Sequence, residues 1–151
     1  VIDASFSSEL VQQLLNDLYR GAARWATQLV READSAARAA LERLARLAEL
    51  LVDGAGREPA VVRLFLFQDL SLLLDDKSRD AGREFRGSLE NLVAQGKAEG
   101  SVRAGGVDVL AAAWLGVLRV ALERILAREW GMGSAGVRLC TEAAWNAIKA
   151  H

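Results

Sequence analysis

Proline occurs once in this chain of 151 residues, at Pro59. A helix interior excludes proline, because the ring removes an N–H and collides with the preceding turn. Its near-absence leaves long stretches in which helices can propagate. Ala, Leu, Arg and Glu dominate those stretches, and all four are good helix formers. Apolar residues recur at spacings of three and four, and no segment shows the alternation of a strand. The chain is therefore expected to be all-α, with short loops and a single compact domain over 1–151. A chain of this length buries roughly 68–70% of its unfolded surface and needs no disulfide or metal to hold a core.

Six helical segments can be drawn. The first covers 8–31, capped by Ser7 or Ser8, with Leu10, Leu14, Leu18, Ala22, Trp25 and Leu29 on one stripe. The second covers 35–53, capped by Asp34, with Ala37, Leu41, Leu44, Ala48 and Leu51 inward. Arg38, Glu42 and Arg46 form a wet face of interleaved charge, and Gly54-Ala55-Gly56 stops the helix. The third covers 60–74 behind Pro59 and is apolar nearly all round, the pattern of an enclosed helix. Asp75-Asp76-Lys77-Ser78 breaks the pattern as a solvated, capped turn. The fourth covers 79–99, with Ala81, Phe85, Leu89, Leu92 and Val93 inward, and ends at Gly100. The fifth covers 107–130 and is apolar on every side over its first half. The last covers 134–150, with Val137, Cys140, Ala144 and Ile148 on its stripe.

Much chemistry is excluded by composition. His151 is the sole histidine and the last residue, which removes His-dependent triads, HExxH sites and Glu-x-x-His di-iron bundles. Cys140 is the sole cysteine, so no cysteine zinc cluster or internal disulfide can form, and it reads as a small buried hydrophobe. Asp75 and Asp76 are sequence neighbours and do not face each other, so they make neither a metal site nor an acid–base pair. With 19 Lys+Arg against 20 Asp+Glu, no basic excess marks a nucleic-acid binder. The expectation is no enzyme, no metal and no cofactor. The longest uncharged stretch, 109–118, is too short for a hydrocarbon core that needs about 20 residues. The N-terminus shows no basic segment followed by an apolar one, so no membrane partner and a cytoplasmic setting are expected.

The segment Leu92-Val93-Ala94-Gln95-Gly96-Lys97-Ala98-Glu99-Gly100-Ser101-Val102-Arg103 resembles the TetR family of bacterial transcriptional regulators. In that family the helix before the last pair commonly closes in a glycine-glutamate-glycine-hydrophobic-arginine turn. Arg57-Glu58-Pro59-Ala60-Val61-Val62-Arg63-Leu64 resembles the family's proline-led middle helix. Phe6-Ser7-Ser8-Glu9-Leu10-Val11 resembles the stretch after its recognition helix, with Ser8 where a lysine is common. The resemblance covers nearly the whole chain but not the family's N-terminal helix-turn-helix domain, which is absent. It implies a regulatory half: a six-helix bundle that binds a small apolar effector and dimerises, the last two helices of each subunit forming a four-helix bundle. Operator DNA would be met only through the absent domain, and the parent would most often be a repressor.

Such a half needs a cavity and a self-complementary face. Candidate pocket residues are Tyr19, Trp25, Phe65, Gln68, Phe85, Leu89, Leu110 and Trp114, with Gln68 and the Tyr19 hydroxyl as the polar groups that fix orientation. Aromatics at helical spacing also make ordinary core. Candidate interface residues are Leu115, Gly116, Arg119, Leu122, Val137, Cys140, Ala144 and Trp145. An interior glycine costs about 1 kcal/mol relative to Ala, so Gly116 marks either an intersubunit approach or a tight internal crossing. The competing function is a helical dimerisation bundle with no small ligand.

Overall fold

The computed structural model describes residues 4–34 and 38–151. It contains α1 (Ala4–Asp34), α2 (Ala40–Arg57), α3 (Pro59–Leu66), α4 (Asp76–Glu99), α5 (Val107–Leu126) and α6 (Ala135–Ile148). Among the described residues there is no strand, only an isolated antiparallel bridge between Val102 and Lys149. The all-α, six-helix expectation is met. The second-helix positions Ser35 and Ala37, and the side chains of Phe6 and Ser7, lie outside what is described.

The helices α1 and α4 pack side by side, as do α5 and α6, and α2 touches every other helix. The core runs between them, from Leu44, Leu47 and Leu51 on α2 through Phe85, Leu89 and Leu92 on α4 to Trp114, Leu118 and Leu122 on α5. Asp75 caps α4 by accepting from the Ser78 N–H at 2.8 Å, and Gly100 ends it in the left-handed region at φ 82°. Ser134 caps α6 by accepting from the Val137 N–H.

Four expectations are corrected. First, α1 begins at Ala4, so Ser7 and Ser8 lie inside it, and its stripe is buried only in its second half. Leu10, Leu14 and Leu18 are exposed (Leu14 59%), while Tyr19, Ala23, Ala26 and Val30 face the core. Second, Asp34 ends α1 and does not cap α2. The Ala40 N–H donates instead to Glu99 Oε2 of α4 at 3.1 Å, a cap supplied from across the fold. Leu41 is exposed, and Arg43 pairs with Asp34 at 3.4 Å.

Third, α2 runs through Gly54 and Gly56 to Arg57. A Cβ at Gly54 would lie 2.5 Å from Trp25 Cζ2, and one at Gly56 would strike Met132. Neither glycine stops the helix, and Gly54 serves close packing against the Trp25 ring. Fourth, α3 ends at Leu66, and only Val62 of it is buried. Residues 67–75 form an irregular loop in which Leu72 is 93% exposed. Tertiary partners replace the missing helical bonds: Arg119 donates to the Leu66 carbonyl and lies over the Phe67 ring at 5.0 Å. The fifth helix likewise ends at Leu126, and Arg128 beyond it takes φ 59°.

Candidate functional site

The loop 67–75, the end of α3, and the facing sides of α1 and α4 enclose a cleft of about 270 Å³. Tyr19 and Phe65 form its floor, with ring centroids 5.5 Å apart at 49°. Phe85 supports them from the core, 5.1 Å from Phe65 and nearly perpendicular at 86°. Gly82 admits the Tyr19 hydroxyl, since a Cβ there would sit 2.7 Å from it. Gln68, Asp69, Ser71, Leu70 and Leu74 make the loop wall. Arg79, Arg83 and Arg86 make the opposite wall, because spacings of four and three place them on one side of α4.

Most of these polar groups are already engaged. Asp69 Oδ1 accepts from the Ser71 hydroxyl at 2.8 Å and from its N–H at 3.2 Å, and these bonds hold its carboxyl below the usual carboxylate range. Arg79 pairs with Asp76 and donates to the Ser71 carbonyl at 3.2 Å, and Arg83 pairs with Asp80. Tyr19, Gln68 and Arg86 are different: none of these side chains makes a hydrogen bond with another described residue. Burial pushes the Tyr19 hydroxyl up from its ordinary value, and the Arg86 charge opposes that shift.

Side chains of α1 hold the loop, Gln12 Nε2 among them, donating to the Leu73 carbonyl at 3.2 Å. Asn16 is buried, donating through Nδ2 to the Leu73 carbonyl at 3.0 Å and accepting at Oδ1 from the Asp75 N–H at 2.8 Å. Arg20 extends the clasp, reaching Asp75 Oδ2 at 3.3 Å and Ser78 Oγ at 3.2 Å. Asp75 lies below the usual carboxylate range, chiefly through its bonds from Ser78 and secondarily through Arg20.

Of the expected pocket residues, Tyr19, Phe65 and Gln68 come together in this cleft. Phe85 lies directly beneath it. Leu89, Leu110 and Trp114 are buried in the core, and Trp25 rests against Gly54. The arginine wall and the Asp69–Ser71 turn were missed by sequence reasoning. Their signals were present, as an Arg79/Arg83/Arg86 repeat and an Asp-x-Ser turn motif.

A second feature lies on α5. One flank is core, through Leu110, Trp114, Leu118 and Leu122. The other carries Val109, Gly116 and Val120 on the surface, and Leu139 of α6 is also exposed (Val120 48%, Leu139 66%). A Cβ at Gly116 would meet nothing within 4 Å, so no internal crossing requires that glycine. A Cβ at Gly136 would strike the Trp130 ring, so that one does serve internal packing. Among the expected interface residues, Leu122, Val137 and Ala144 are buried within the protomer and Arg119 is occupied at the end of α3. Leu115, Cys140 and Trp145 are half-buried. The exposed Val109, Val120 and Leu139 were not singled out from sequence, although their spacing from Gly116 could have found the first two.

A larger open groove of about 1050 Å³ separates α2 from α6. Its charges are largely spent on neighbours, as Arg38–Glu42 at 3.9 Å and Arg46–Glu49 at 3.0 Å, so it is a solvated helix face. Among the described residues no group of three His, Cys, Asp or Glu could hold a metal ion. None of their helices is long and apolar enough to cross a membrane.

No protein-family model and no curated protein matches the chain. Solved structures do. The chain is similar to the ketosteroid transcriptional regulator KstR2 of Mycobacterium tuberculosis, with a TM-score of 0.63 at 18% identity over 92% of this chain and 73% of that one. It is equally similar to a protein from Vibrio parahaemolyticus described as a TetR-family transcriptional regulator. That match has a TM-score of 0.63 at 18% identity over 94% of this chain and 75% of the other. At this identity the likeness is one of fold.

Proposed function

We propose that the chain is the effector-binding and dimerisation domain of a TetR-like transcriptional regulator, most simply a cytoplasmic repressor, and that it performs no catalysis. The observation that carries this reading is the double role of loop 67–75, which walls an aromatic-floored cleft and is hydrogen-bonded to α1 through Asn16. A small, largely apolar effector seated on Tyr19 and Phe65 would press on that loop. The clasp would pass the displacement to α1, whose exposed ridge of Leu10, Val11, Leu14 and Leu18 is suited to seat a DNA-binding domain of the parent protein. A second copy would pack on the outward flank of α5 and on α6, around Val109, Gly116, Val120 and Leu139.

In such a dimer, operator DNA favours recognition helices about 34–36 Å apart. An effector shifts the balance only by its differential affinity for the two arrangements, and inverting a 1:99 population needs about 5.5 kcal/mol of it. Coupling is reciprocal, so operator DNA must change effector affinity by the same factor. Titrating effector into the full-length parent with and without operator tests this directly. Equal affinities reject the switch.

One observation favours the alternative of a dimerisation bundle without a ligand. Phe65 and Phe85 are in contact, Trp114 is fully packed, and the cleft lies just below the roughly 300 Å³ where ligand pockets usually begin. Tryptophan fluorescence that stays constant across a broad panel of small molecules, in a chain that sediments as a dimer, would favour it.

A further inference from the structure

We infer that the cleft takes an amphipathic carboxylate, its apolar body on Tyr19, Phe65 and Leu74 and its head group on Arg86, Gln68 and the Tyr19 hydroxyl. The inference rests on the effector-binding reading and names the chemistry of that ligand. It starts from a break in a repeat. Arg79 and Arg83 each have an aspartate three residues earlier, Asp76 and Asp80, and each pairs with it. Three residues before Arg86 stands Arg83 instead. Glu90, one turn beyond, forms no ion pair with Arg86, so its guanidinium lines the cleft uncompensated.

The other two unengaged groups converge on the same space. Tyr19 donates through its hydroxyl and Gln68 through its amide, so with Arg86 the site presents donors to a planar acceptor. Charge-assisted bonds of this kind are roughly twice as strong as neutral ones, and guanidinium meets carboxylate with two parallel bonds. Arg86 is exposed, so a neutral ligand would displace its water and gain no charge-assisted bond in return. The charge of the head group is bounded as well. Asp69 stands on the facing wall as a carboxylate, so a phosphate dianion meets about twice the repulsion that a monoanion does. The aromatic floor supplies the apolar contact that a bare inorganic anion cannot use.

The test is calorimetry on the chain with octanoate and hydrocinnamate, each beside its primary amide, and with inorganic phosphate. The acids are expected to bind about tenfold or more tightly than the amides. That preference should vanish in Arg86→Gln, return in part in Arg86→Lys, and persist in Arg103→Gln, which lies outside the cleft. Loss of all binding in Phe65→Ala locates the site. Amides that bind as tightly as acids, still sensitive to Phe65→Ala, overturn the carboxylate assignment and leave the effector cleft intact. Phosphate binding more tightly than either acid overturns it too. Acids whose binding ignores both Arg86 and Phe65 overturn the assignment together with the cleft.

Discussion

The two flanks of α5 have similar apolar composition and opposite surroundings. Trp114 and Leu118 are sealed among α2, α4 and α6, whereas Val109 and Val120 stand in solvent on the other side. The contrast separates two uses of a hydrophobic residue. On the inner flank it stabilises the protomer. On the outer flank much of its surface stays in water and remains free to be buried by association. The same contrast divides α1 along its length, with Ala23, Ala26 and Val30 buried and Leu10, Leu14 and Leu18 exposed.

The sharpest way to break the comparison is to truncate one residue on each flank. Trp114→Ala should cost about 3–5 kcal/mol by urea denaturation, the range for removing a large buried aromatic. Val120→Asn should change protomer stability by about 0.5 kcal/mol or less. If instead Val120→Asn costs as much as a core truncation, in a chain whose unfolding midpoint depends on its concentration, the outer flank is already covered by a second copy.

An intermediate effect is expected at the clasp. Asn16→Ala leaves the Asp75 N–H without its partner and the Leu73 carbonyl with Gln12 alone, and should cost about 1–3 kcal/mol. Hydrogen exchange should speed up at 73–78 while the Trp114 region stays protected. Uniform acceleration would show that the loop is not a separate unit.

Gly116→Ala gives a smaller change whose sign differs between monomer and dimer. With open space around its Cβ, alanine should stabilise the protomer by about 0.4–1 kcal/mol. In a dimer closed around this helix, the same methyl should weaken association, read as a higher dissociation constant by sedimentation equilibrium.

The least effect comes from acid. Asp75 holds its proton more weakly in the folded chain than in the unfolded one, because the Ser78 bonds and Arg20 favour the carboxylate. Its contribution is therefore complete above about pH 4, the unfolded carboxyl value, and fades as pH falls through the lower folded value. Exchange at the Ser78 amide should rise in that window and flatten in Asp75→Asn. The flanks of α5 carry no such group on their buried side and should not respond.

Much of the fold was legible residue by residue. The end of α4 follows from Gly100 and the start of α3 from Pro59, because each signal acts through bonds within a few residues, whereas α4 begins at Asp76 behind the Asp75 cap and not at 79 as its pattern suggests. The cleft was only partly legible. Tyr19, Phe65 and Gln68 were found by type, but 67–74 reads as helix and so hides the loop that makes the wall. What stops α3 there is remote: Arg119 on the Leu66 carbonyl and Asn16 on Leu73 come from helices distant in sequence. Gly54 misled for the same reason, since the Trp25 ring that requires it comes from elsewhere in the chain.

Local chemistry thus settled that this chain makes six helices, and where α3, α5 and α6 begin, because propensity, periodicity and side-chain caps are short-range. Which apolar face is covered, where α3 yields to a loop, and which arginine is left without an acid were settled by packing. Periodicity states that a face is apolar and is silent on what lies against it, and a backbone group satisfied from a distant helix leaves no mark in its own neighbourhood.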